Sequence, residues 1–86
     1  MQALLAHLTA HKPPGWSAVL GDRELVVRTS DRSVGKFRVT VSPPRQEPTF
    51  CLAFFSAASG HWVDRAYFPL SVESGTAMLA WAAARV

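Results

Sequence analysis

The chain has 86 residues, 49% of them hydrophobic and 17% charged, with a formal net charge of +3. That length supports one modest core that buries about 60 to 65% of the unfolded surface, and it excludes a second domain; the composition excludes a disordered chain. The mild positive charge falls short of the dense Lys/Arg stripe of a dedicated nucleic-acid binder, yet it suits an anionic partner.

Cys51, the single cysteine, has no internal partner for a disulfide, which fits a reducing compartment. The N-terminal "MQALLAHLTAHKPPGW" lacks a basic leader region, and no apolar run reaches the roughly 18 residues of a membrane span. A cytoplasmic protein without a membrane partner is expected.

Leu4, Leu5 and Leu8 fall at helical spacing in residues 2–11, and Pro13-Pro14-Gly15 ends that helix, because proline removes a donor and restricts the residue before it. "WSAVL" (16–20), Gly21-Asp22 and "RELVVRT" (23–29) read as a strand, a tight turn and a second strand. "KFRVTVS" (36–42) follows, with Phe37, Val39 and Val41 facing in and Lys36, Arg38 and Thr40 facing out.

Matching the apolar faces of the last two strands pairs Leu25 with Val41, Val27 with Val39 and Arg28 with Arg38. A slip of two residues instead sets Arg28 against Lys36. In either register two cations adjoin on the solvent face.

"PPRQEP" (43–48) is a loop between hairpins, and "TFCLAFFSA" (49–57) carries apolar residues on both sides, as a central strand covered twice does. Cys51 is then a small core residue, since an apolar setting suppresses thiol reactivity. "WVDRAYFP" (62–69) reads as a half-buried strand nearer an edge, with Trp62, Ala66 and Phe68 inward and Asp64 breaking that set.

Ser71 is expected to N-cap a closing helix with Glu73 in its first turn. Its buried stripe runs through Val72, Thr76, Leu79, Ala83 and Val86, with Met78 and Trp81 to the side and Arg85 against the C-terminal end of the dipole. The expected fold is a single α+β domain over residues 1–86: helix, four- or five-stranded antiparallel sheet, helix, with both helices on one face.

Motifs for chemistry are absent. His7 and His11, four residues apart on a helix, have metal-ligand spacing but no adjacent glutamate and no second ligand pair, so they read as flanking residues of an amphipathic helix. No serine sits in a Gly-x-Ser-x-Gly turn. Asp22, Glu24, Asp31, Glu47, Asp64 and Glu73 are isolated and mostly in turn positions. Gly21 and Gly35 open no phosphate-binding helix, and at least two of Trp16, Trp62 and Trp81 are expected to pack on the sheet. No catalytic residue, metal ligand or cofactor is assigned.

The element order resembles the double-stranded RNA-binding domain, in which one helix, three strands and one helix cover a similar length. That family grips phosphates with a lysine-rich patch at the start of the final helix, whereas "PLSVESGTAM" (69–78) holds no lysine or arginine, so the resemblance implies topology and no RNA-binding residue. In size and build the chain also resembles the small single-domain inhibitors of phages and mobile elements, anti-CRISPR proteins among them, a class that shares no motif.

Like charges side by side on a strand pair disfavour folding by up to about 1 kcal/mol. Long side chains splaying into water, or meeting Glu24, Asp31 or Asp64, offset that. The functional alternative is a patch of Arg28, Lys36, Arg38 and Arg65 for an anionic partner. The expected function is a small non-catalytic protein-binding module of inhibitor type that covers an acidic protein surface. The alternative is nucleic-acid binding through the basic sheet face, and a third reading is edge pairing into a homodimer.

Overall fold

The computed structural model describes residues 1–42 and 48–86. Its elements are α1 (Gln2–His11), β1 (Ser17–Leu20), β2 (Leu25–Arg28), β3 (Gly35–Ser42), β4 (Thr49–Ser56), β5 (His61–Phe68) and α2 (Ser74–Ala83). The five strands form one antiparallel sheet in the order β1-β2-β3-β4-β5, and both helices pack on the same face of it. The expected α+β layer is therefore what folds. Of the loop expected at 43–48, all but Pro48 lies outside the described residues. No helix among the described residues is long and apolar enough to cross a membrane.

Period-two alternation sends Leu25, Val27, Phe37, Val39, Phe50, Leu52 and Phe54 to the inner face, where they meet Leu4 and Leu8 of α1 and Met78, Leu79 and Ala82 of α2. Phe37 stacks on Phe54 with ring centroids 4.8 Å apart and takes the edge of Trp81 at 6.1 Å. Trp16 is buried in the same core. Each of the larger fully buried side chains contributes about 1.5–3 kcal/mol by leaving water. α1 stops at Lys12, which is extended as a residue before proline must be.

The preferred register of β2 on β3 is corrected. Leu25 pairs with Val39, Val26 with Arg38 and Val27 with Phe37, the two-residue slip from the expected pairing. The reversal centres on Arg32 because a compact turn shortens it: Asp31 accepts from the Ser33 amide and hydroxyl at 3.0 and 2.6 Å, and Thr29 Oγ1 donates to the Asp31 carbonyl. Carried one step past Val27 and Phe37, this register sets Arg28 level with Lys36. The two arginines are not opposed.

Three more expectations are corrected. Trp62 pairs with Phe55 on the outer face, because a β-bulge between Phe54 and Phe55 slips the register and leaves Val63 without a partner of its own. β4 is covered by helices on one face only, and the pleat turns Cys51 to the other, where it is half-buried opposite Thr40 and Tyr67. In α2 the buried stripe is Ser74, Gly75, Met78, Leu79 and Ala82; of the expected set only Leu79 faces the core, and Val72, Thr76, Ala83 and Val86 are exposed.

The closing helix also starts later than Ser71. Residues 71–73 form tight turns in which the Ser74 and Gly75 amides donate to the Ser71 and Val72 carbonyls, and Glu73 takes the N-cap position without a side-chain cap. The buried stripe follows the small residues. Gly75 lets α2 approach α1 so closely that a Cβ there would lie 2.5 Å from His7 Cδ2.

Candidate functional site

The sheet face opposite the helices is built from the alternate residues of the same strands. It carries Val19 on β1, Val26 and Arg28 on β2, and Lys36, Arg38 and Thr40 on β3, followed by Cys51, Ala53 and Phe55 on β4 and Trp62, Arg65 and Tyr67 on β5. Val19, Trp62 and Tyr67 are exposed at 62%, 37% and 57%. Neither helix covers these rings, so water meets them directly.

The four cations singled out from sequence share this face, each in its own setting. Arg38 lies over the Trp62 ring, its Cζ 4.1 Å from the ring centroid, and such stacking is worth about 0.5–1 kcal/mol at exposed sites. Lys36 stands 5.7 Å from the Phe55 ring and 5.9 Å from that of Trp62, and the Phe55 and Trp62 rings meet edge to face at 5.2 Å. Arg65 sits on the edge strand, separated from Arg38 by Ala53. Arg28 opposes Ser17 and, with Arg32 and Lys36, lines an open cavity of about 220 Å³ whose other walls are Gly35, Phe55 and Ala57.

The aromatic rings and one carboxylate offset the charge. Glu24 Oε2 approaches Arg38 Nε to 3.8 Å, beyond hydrogen-bond reach, and both side chains are about 40% exposed, so the pair is worth little. Arg38 Nε itself is shielded from solvent and without an acceptor among the described residues. Ring stacking, more than the ion pair, therefore holds Arg38 in place.

Asp64, which broke the inward pattern of β5, faces the helix side at the sheet edge and is matched by Arg85. The Arg85 Nη2 and Nε donate to its Oδ2 at 2.6 and 2.9 Å, and the Arg65 amide donates to its Oδ1 at 2.8 Å. The Arg85 hydrogen bonds, first, and the Arg65 amide hold its carboxyl below the usual aspartate value. Arg85 also stacks on Trp81 at 3.4 Å and caps its carbonyl.

His7 and His11 lie side by side with ring centroids 4.4 Å apart, and His7 Nε2 is 3.1 Å from Thr76 Oγ1. Among the described residues no three His, Cys, Asp or Glu gather as a metal site. A second cavity, of about 550 Å³, is open and mostly apolar, lined by Pro48, Thr49, Tyr67, Phe68, Pro69 and Leu70.

Phe55 and Arg32 are functional candidates that sequence reasoning did not select; Trp62 could be read as a stacking platform or hot spot, but its expected place was inward. Asp64 carried a signal of irregularity in β5, but nothing in the pattern located the bulge that turns Trp62 outward. Comparison with protein-family models, curated proteins and solved structures gives no match. Any functional reading of the face therefore rests on its geometry.

Proposed function

We infer that the chain is a small non-catalytic protein-binding module of inhibitor type, which covers an acidic partner surface with the outer face of its sheet. The observation that carries this reading is the cluster of Trp62, Phe55, Arg38 and Lys36 on the sheet face that neither helix covers. Tryptophan, tyrosine and arginine dominate the energetics of protein interfaces, and a ring braced by an arginine loses little freedom on docking. Cations around the rings favour a partner of opposite sign and raise its rate of encounter. Occlusion of a partner's surface suits a chain of this size, as in the phage-type inhibitors it resembles in build.

A second reading is favoured by the broad exposure of the Tyr67 ring on the same face, two residues along β5 from Arg65, since single-stranded nucleic acid stacks on exposed rings beside cations. It is the weaker one, because Arg38 already occupies a face of Trp62.

The test is capture by the immobilised chain from nuclease-treated lysate of its source, run beside Trp62→Ala and the double substitution Arg28→Glu with Arg38→Glu. The expected result is a protein retained by the native chain whose affinity falls about thirtyfold with Trp62→Ala, matching a hot-spot loss of about 2 kcal/mol. Capture that vanishes on nuclease treatment and weakens log-linearly with salt would move the face to nucleic acid. Equal capture by both folded variants would remove it from function.

A further inference from the structure

The cavity at the β2–β3 turn departs from the rest of the face in its charge. Arg28, Arg32 and Lys36 line it together with Gly35, Phe55 and Ala57, and no carboxylate is among its walls. The one acid of the turn, Asp31, does not line it, and the Ser33 hydroxyl and amide bind its Oδ1. Arg28, Arg32 and Lys36 make no ion pair among the described residues.

The floor of the cavity is built. Gly35 adopts a φ of +135°, and a Cβ there would run into the Phe55 carbonyl oxygen, so only glycine lets β3 close against β4 at this point. The Ala57 amide donates to the Val34 carbonyl at 3.1 Å and ties the two turns together. Arg28, Arg32 and Lys36 thus line a space of about 220 Å³ beside a closely paired β3–β4 backbone, at a place where three like charges alone repel.

The geometry points to a receptor for a dianionic phosphate monoester, carried on a side chain of the protein partner. A single carboxylate neutralises only part of three cations, whereas a phosphate monoester brings about −1.5 to −2 charge and oxygens that suit guanidinium forks. The space exceeds what four oxygens need, and the Phe55 ring offers an apolar wall for the carbon that bears the ester. Lys36 also reaches toward Trp62, so an occupied pocket adjoins the docked rings. This assignment rests on the docking reading above and adds the chemistry of one subsite.

The test titrates the full chain with phenyl phosphate, benzoate and adenosine 5′-monophosphate by calorimetry and by amide shifts. Phenyl phosphate is expected to bind about tenfold more tightly than benzoate, with Arg32→Ala and Lys36→Ala each weakening it about five- to tenfold. Arg65→Ala, on the same face but outside the cavity, is expected to change it less than about twofold. Arg32 is an exposed turn residue, so its variant keeps the fold, which an unchanged melting temperature checks. Equal binding of phenyl phosphate and benzoate overturns the pocket while leaving the docking face, which partner capture reads, in place. Adenosine 5′-monophosphate binding more than about tenfold tighter than phenyl phosphate overturns the assignment to a phosphorylated side chain.

Discussion

Arg38 and Asp64 are two charged residues of the sheet with opposite solutions to neighbouring charge. Arg38 sits among cations and is held by an aromatic ring, while Asp64 faces the helix side and is held by Arg85 through two hydrogen bonds to one oxygen. The Asp64 carboxyl is lowered when folded, so the unfolded chain takes up the proton more readily. Its contribution is complete above the ordinary aspartate pKa of about 3.9 and is lost as pH falls through the lowered folded value. Asp64→Asn is expected to melt below the native chain at pH 7, with the difference closing as pH falls below the ordinary aspartate value and through the lowered folded one. Thermal unfolding across that range measures it, and a pH-independent difference would sink the argument. The difference between chains is the quantity to follow, because Asp31 is lowered too and retains its own acid dependence. Charges and their signs were legible in the sequence; partners such as Trp62 for Arg38 were not, because they depend on register and pleat.

At the scale of elements, periodicity located each helix and strand within a few residues, since burial on one face enforces a period of two or 3.6. What it left open was set by small local features. In β2 and β3 the parity of the pairing was legible, because an odd slip would turn apolar faces to water, but the turn around Asp31 selects between two even registers. In α2 several stripes of alanine-rich sequence are nearly equivalent in hydrophobicity, and Gly75 selects one by permitting close approach to α1. Leu79→Ala is expected to cost about 2–4 kcal/mol and Val72→Ala less than about 0.5 kcal/mol, read by chemical denaturation. Equal losses would mean that the helix is rotated from the position described. For the candidate site, the cations were readable one by one, while the ring that organises them depends on one unpaired residue in β5.

The whole molecule is a two-layer fold with one sheet face committed to the core and one in water, bounded by edge strands β1 and β5. β5 is the longer edge, and its bulge at Val63 interrupts a ladder that a copy of the chain could extend. Deleting Val63 restores regular alternation with Trp62 still opposite Phe55. The shortened chain is expected to fold and to self-associate more than the native one, which mass in solution against concentration measures. Failure to gain any association would show that the bulge does not guard the edge. Because Phe37 and Val39 serve the interior while Lys36, Arg38 and Thr40 serve the exterior, the two duties interleave along a single strand without sharing a position. Selection can therefore alter the character of the outer surface, one alternate codon at a time, while the inherited scaffold beneath it stays the same.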